Sequence, residues 1–354
     1  MTNHGGDIYG FMVKRGLDQG SVIDFSASVN PLGTSGNVVR EIKKNIKNIV
    51  HYPDIHATRL TDKVAVALGV KAKSIVCGNG STELIYLIPR LMGFRRVLIP
   101  QPTFSDYERA CRIACPECTI TDYMLELRKN FDIEPGDILG KILNTKPDAV
   151  FLCNPNNPTG RLIKREALLD IAAQTKKQRI YLVVDESFID FCPGESVAGN
   201  VQKNPYLIVL RSMTKFYALA GLRLGYGIFP LNIAGMLKEL KEPWSVNTLA
   251  QIAGMAALGE DIYNERTIKI INKQKKALEK GLQRLGIDYI PSHANYYLLH
   301  TPKAGKIAEG LAQRGIVVRG CSNFKGLDHR YLRIAVKSQK ENELLLKHME
   351  ECIE

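Results

Sequence analysis

One lysine and one arginine stand eight residues apart in an otherwise apolar segment, Arg211-Ser-Met-Thr-Lys215-Phe-Tyr-Ala-Leu-Ala-Gly-Leu-Arg223-Leu-Gly-Tyr. A lysine held away from water shifts toward the neutral amine, the form that attacks a carbonyl to make a Schiff base. The hydroxyls of Ser212 and Thr214 and the guanidinium of Arg223 suit a phosphate. A second segment, Val183-Val-Asp185-Glu-Ser-Phe188, puts a carboxylate at the end of a strand-like run. An acid there faces the ligand crevice of a parallel sheet and could keep a heterocyclic nitrogen protonated. The third, Asn154-Pro-Asn-Asn157-Pro-Thr-Gly160, is a rigid turn able to aim the Asn157 amide. In the fourth, Cys77-Gly-Asn-Gly80-Ser81-Thr82-Glu83, a strand turns into a helix, whose positive end and backbone N–H groups attract an anion. This is neither a Walker loop nor a dinucleotide fingerprint, because Glu83 takes the last glycine position. Each segment also has a plain structural reading: helix cap, turn acid or rigid bend.

All four follow apolar runs. Ser74-Ile-Val-Cys77, Arg96-Val-Leu-Ile99, Ala149-Val-Phe-Leu-Cys153, Ile180-Tyr-Leu-Val-Val184 and Leu207-Ile-Val-Leu210 are short, β-branched and bounded by turn residues. Amphipathic stretches such as Lys164 to Lys177 lie between them, which predicts a largely parallel sheet with helices on both faces. Beyond residue 230 the pattern changes to a long helix, Asp261 to Leu285, and strand-like pieces at Asn295–Leu299, Ile316–Arg319 and Tyr331–Val336. The expected organisation is a large α/β domain over residues 50–235 and a smaller α+β domain from residues 1–49, with a helix near Asn37–Ile49, joined to 236–354.

The chain has 354 residues, 45% hydrophobic and 24% charged, the composition of a globular protein with a sizeable core. It contains no run of eighteen apolar residues and opens without a basic and apolar leader, so a cytoplasmic protein with no membrane span is expected. The formal net charge of +12 is spread over helix-like faces, with no interleaved basic and aromatic residues, which argues against nucleic acid as a partner. It remains compatible with a phosphorylated substrate. Eight cysteines read as reduced thiols. Cys111, Cys115 and Cys118 have the spacing of three cluster ligands, but a helix over Ser105–Ala114 followed by a strand should point their sulfurs apart, so no metal is expected.

In this order, each at a strand end, the segments resemble the aspartate-aminotransferase-like (fold type I) family of pyridoxal-phosphate enzymes over essentially the whole chain. The resemblance implies a mostly parallel seven-stranded sheet sandwiched by helices, a smaller α+β domain, and a homodimer with a shared active site. By that resemblance Lys215 would bond the cofactor covalently and Asp185 would pair with its ring nitrogen. Asn157 would meet the ring oxygen, Phe104 would stack on the ring, and Ser81, Thr82, Ser212, Thr214 and Arg223 would surround its phosphate. Tyr52, in His51-Tyr-Pro-Asp54, looks like a tyrosine that reaches this phosphate across a dimer interface. Arg333, in Tyr331-Leu-Arg-Ile334, resembles the arginine that grips a substrate carboxylate.

Within the family, Asp24-Phe-Ser-Ala-Ser-Val-Asn30-Pro-Leu-Gly33 is similar to segments of both histidinol-phosphate aminotransferases and L-threonine-O-3-phosphate decarboxylases of cobamide synthesis. The opening His4-Gly5-Gly6 resembles the decarboxylases, and Phe188 stands where such aminotransferases usually carry tyrosine. Decarboxylation of threonine or serine phosphate is therefore expected, with histidinol-phosphate transamination as the alternative. Arg333 would hold the carboxylate, and some of His4, Asn30 and Arg319 the substrate phosphate, with Gly5 and Gly6 folded over it. A DNA-binding regulator built on this fold would need a helix-turn-helix module, which the sequence lacks.

Overall fold

In the computed structural model, residues 5–353 are described. Thirteen segments pair as strands among them. These begin with β1 (Ile23–Asp24), β2 (Ile75–Asn79), β3 (Arg96–Gln101), β4 (Thr119–Met124), β5 (Ala149–Cys153), β6 (Tyr181–Asp185) and β7 (Leu207–Ser212). They continue with β8 (Leu224–Ile228), β9 (Asp288–Tyr289), β10 (Tyr296–His300), β11 (Ile316–Val317), β12 (Arg319–Gly320) and β13 (Tyr331–Ala335).

Seven of these form one sheet in the order β2-β8-β7-β6-β5-β3-β4. Every neighbour is parallel except β8, which runs antiparallel to both β2 and β7. Alternating side chains explain why the central runs are apolar throughout. Val150, Leu152, Leu182, Val184, Leu207 and Val209 enter the core on one face, while Phe151, Cys153, Val183, Ile208 and Leu210 enter the core on the other. The chain moves outward from β3 to β4 and returns on the other side with β5, so the strand order reverses between β3 and β5. A crevice outside the carboxyl ends of strands at such a reversal is where open α/β sheets bind ligands.

β8 is not foreseen from sequence, because Gly225 and Gly227 interrupt its β pattern. Gly225 has a packing reason: a Cβ there would lie 2.2 Å from the Ser81 backbone nitrogen. The glycine lets β8 press against the start of the helix Gly80–Met92.

A smaller sheet, β12-β13-β10-β9, packs with the helices Asp261–Arg284, Ala304–Gln313 and Gln339–Ile353 around a second core that includes Phe25, Tyr296 and Leu345. The expected strand over Ile316–Arg319 is split: β11 pairs in parallel with β1, and β12 joins the smaller sheet. The expected helix near Asn37–Ile49 is α-helical only over Gly36–Asn45 and continues as a tighter 3₁₀ turn, Ile46–Val50. Asn45 donates its side-chain amide to Glu41 O and accepts from Asn48, local bonds that compete with the helix. By core membership, Val38 of that helix and Ala250 and Ala253 of the helix Thr248–Ala257 side with the large sheet, although both segments were expected with the smaller domain. No helix among the described residues is long and apolar enough to cross a membrane.

Candidate active site

Asp185 ends β6, where the strand's alternation turns its side chain toward the crevice, and it is buried to 4% exposure. Tyr107 donates its hydroxyl to Oδ2 at 2.7 Å. The Ser187 backbone N–H and hydroxyl donate to Oδ1 at 2.9 and 2.5 Å. Burial pushes this carboxyl up from its ordinary range, opposed by the Ser187 and Tyr107 bonds and by the charge of Lys215. Neither Tyr107 nor Ser187 stood out in the sequence. Ser187 had the signature of a turn closed by an aspartate two residues earlier. Tyr107 shares a helix face with Ala110 and Cys111, which reads as core.

Lys215 follows β7 in a partly buried loop. Burial, then the charges of Arg333 and Arg223, pull its amine down to about 8. Around it gather the hydroxyls expected of an anion site. Ser212 and Thr214 lie 2.7 Å apart, and Ser81 reaches Ser187 at 3.3 Å at the start of the helix Gly80–Met92. Arg223 holds a left-handed backbone, φ 56°, between a short 3₁₀ turn and β8. Helix terminus, hydroxyls and guanidinium together fit a phosphate.

Arg333 of β13 lines the same cavity as Lys215. It is 7% exposed, donates to Asn157 Oδ1 and, at 2.8 Å, to Ser26 O, and lies 5.2 Å over the Tyr296 ring. No carboxylate pairs with it among the described residues, and its Nε has no partner there. Phe188 packs edge-on against Tyr296 at 4.9 Å. Arg319 donates to Gly320 O and Asn323 Oδ1, each at 2.8 Å, and burial pulls its guanidinium down.

Ser81, Thr82, Phe104, Asn157, Asp185, Ser212, Thr214, Lys215, Arg223, Arg319, Arg333 and Gly5 line one cavity of about 510 Å³. Gly5 fits only as glycine, since a Cβ would lie 2.4 Å from Ser26 O. Gly6 does not line the cavity but donates its N–H to Ser26 Oγ at 2.8 Å, tying the arm to the same turn. His4 lies outside the described residues. Tyr52 is 81% exposed, packs with its ring tilted against Trp244 at 4.8 Å, and does not line this chain's cavity.

Asn30 is a correction. It does not reach the cavity: its amide donates to Phe216 O, Tyr263 Oη and Thr267 Oγ1, and its oxygen accepts from Leu32 N. Ser28, two residues earlier, reaches the cavity instead. That side chain lines the cavity, is 2% exposed, and its hydroxyl has no partner among the described residues. The Val29 N–H bonds to Ala27 O at 3.0 Å, a three-residue turn centred on Ser28 that breaks the alternation along the segment.

The cysteine reading also changes in one respect. The Cys111 and Cys118 thiols meet rather than diverge, and burial raises both. Among the described residues no three His, Cys, Asp or Glu side chains are placed to hold a metal ion.

A buried acid, a lysine of lowered basicity and an anion cradle facing one another fit pyridoxal phosphate: ring nitrogen to Asp185, aldehyde to Lys215, phosphate to the helix end. Similarity to known proteins points to the same cofactor family. Residues 20–349 match the family model for class I and II aminotransferases. A threonine-phosphate decarboxylase of Salmonella typhimurium is 36% identical over 97% of this chain and 94% of its own length. The crystal structure of the histidinol-phosphate aminotransferase from Clostridium acetobutylicum superposes with TM-score 0.86 at 32% identity, covering 94% of this chain and 99% of that one. The L-threonine-O-3-phosphate decarboxylase from Porphyromonas gingivalis gives TM-score 0.82 at 28% identity, covering 92% and 98%. The chain therefore belongs to the class I and II aminotransferase family and is a pyridoxal-phosphate enzyme of the aspartate-aminotransferase-like fold.

Proposed function

We propose that this enzyme decarboxylates L-threonine O-3-phosphate, or L-serine O-phosphate, to (R)-1-amino-2-propanol O-phosphate or ethanolamine phosphate, for the nucleotide loop of cobamides. The observation that carries this reading is Arg333, a buried cation with no acid partner among the described residues, in one cavity with a second guanidinium, Arg319. Such an arrangement suits a substrate bearing both a carboxylate and a phosphate. Histidinol phosphate has no carboxylate, whereas its amino-group acceptor 2-oxoglutarate has two, so it is the pairing of carboxylate and phosphate in one substrate that favours the decarboxylase.

Bound pyridoxal phosphate supplies an electron sink for the bond at Cα that stands perpendicular to its ring. The chain's residues select that bond. Arg333 would bind the carboxylate, and Arg319 and Ser28 the phosphate, which together would fix the substrate's orientation about Cα. Asp185, oriented by Tyr107 and Ser187, presents its carboxylate to a protonated ring nitrogen. Phe188 offers no hydroxyl, so the Asn157 amide is the donor to the ring oxygen. The Cα–carboxylate bond breaks, carbon dioxide leaves, and Lys215 returns a proton to Cα. Tyr52 would act in the cavity of a second copy, which makes the working unit a homodimer. A chain fully active as a monomer at high dilution would contradict that role.

The test is incubation of the holoenzyme with threonine phosphate while carbon dioxide is collected. Release with formation of the amino-alcohol phosphate is expected. Glutamate formation from 2-oxoglutarate and histidinol phosphate, with no carbon dioxide from threonine phosphate, overturns the proposal. The likeness to the Clostridium acetobutylicum aminotransferase favours that second reading.

A further inference from the structure

The turn that brings Ser26 and Ser28 to the cavity goes on to grip the chain around Lys215. The Asn30 N–H donates to Lys215 O at 3.0 Å, and its side-chain amide donates to Phe216 O at 2.8 Å. Two residues of the helix Asp261–Arg284 back this clamp: Tyr263 Oη and Thr267 Oγ1 each accept from the same amide at 2.9 Å. Tyr263 in turn donates to Gly33 O at 2.7 Å, closing the network on the turn itself. Thr34 donates to Ala218 O at 2.9 Å, where Ala218 sits at φ 54°, a left-handed conformation that a non-glycine residue keeps only when its surroundings hold it. At its other end the same segment meets Arg333 through Ser26 O and the cavity through Ser28.

We propose that the Asn30 side chain is a positioning group that ties the main chain at Phe216, beside Lys215, to the substrate-binding turn, so that the lysine proton is delivered to Cα and not to the cofactor. The inference rests on the decarboxylase reading for its chemical consequence and on the hydrogen-bond network alone for its mechanical one. Misplaced delivery has a definite product. If the proton reaches the carbon of the cofactor's former aldehyde group, water then cleaves the carbon–nitrogen bond. The amino group stays on the cofactor as pyridoxamine phosphate, and the carbon skeleton leaves as 2-phosphooxypropanal alongside carbon dioxide.

The experiment compares holoenzyme carrying Asn30→Ala with wild type, using Asn30→Ser as a second variant should the first not fold. Ile138→Val serves as control, a buried change in the helix Pro135–Thr145 that has no part in the clamp. Two quantities are read: amide hydrogen exchange of the segment 213–219, and the fraction of turnovers of threonine phosphate that end in pyridoxamine phosphate. Exchange should quicken about tenfold in the Asn30 variants and stay at the wild-type level in Ile138→Val. The aminated fraction should rise roughly tenfold, since about 1 Å of misplacement costs up to two orders of magnitude in a positioned step. Unchanged exchange, or an equal rise in Ile138→Val, overturns the clamp whatever the reaction proves to be. Faster exchange with an unchanged aminated fraction overturns the role in proton delivery. A wild-type enzyme that releases no carbon dioxide refutes the decarboxylase reading, and exchange still decides the clamp.

Discussion

Two buried arginines, Arg211 behind the strand ends and Arg333 in the cavity, are equally hidden from water and differently satisfied. Arg211 meets two carboxylates, Glu186 at 3.3 Å and Asp190 at 2.5 Å, and Glu186 is further held by Ser196 Oγ and Val197 N. Arg333 meets only an amide oxygen, a carbonyl and a ring. A cation serving the fold has its counter-charge built into the chain. One that serves a ligand leaves that charge to be brought in. Their neighbours follow the same rule: Glu186 is spoken for, whereas Ser28 in the cavity keeps an unused hydroxyl.

The largest expected effect is on Arg333. Its replacement by Met should lower kcat/KM for a carboxylate substrate by about a thousandfold, the cost of leaving a buried charge unpaired in the complex. Thermal stability should fall little. A large fall in stability with intact activity would reverse the assignment of the two arginines. Arg211→Met should do the opposite, costing about 3–5 kcal/mol in urea unfolding because Glu186 and Asp190 would be left buried without their cation. Unchanged unfolding would remove the basis of the contrast. Ser28→Ala should raise KM about tenfold, the loss of one hydrogen bond to a charged group, with no loss of stability, since the hydroxyl bonds nothing within the chain.

A further effect, spread over a wide pH range, concerns Lys215 in the cofactor-free chain. The folded state holds its proton more weakly, at about 8, than the ordinary 10.5. Protonation therefore opposes folding, fully below about 8, and the penalty fades as pH rises toward 10.5. Relative to Lys215→Met, the cofactor-free chain should gain stability across that window in a pH series of melting temperatures. A flat difference would mean that the amine is not desolvated.

Much of the site was legible because its signals are local. Lys215 and Asn157 follow apolar strands, Asp185 ends one, and Arg223 leads into the antiparallel β8; a parallel sheet sends all carboxyl ends to one crevice, and the start of an antiparallel strand lies at that same end. Asn30 lies away from the cavity because the turn after Ala27 changes which residue faces it, and no spacing rule reports that. Tyr107 was missed because its hydroxyl finds Asp185 across seventy-eight positions of chain. Helix and strand types, the order of layers and the chemistry of the lysine and its acid came from periodicity and short motifs, which depend on near neighbours in the chain. Which arginine is left without a counter-charge, which serine lines the cavity and which asparagine bonds the lysine loop were decided only when distant segments packed together. A side chain's partners are set by three-dimensional neighbours, and those are fixed by folding rather than by spacing.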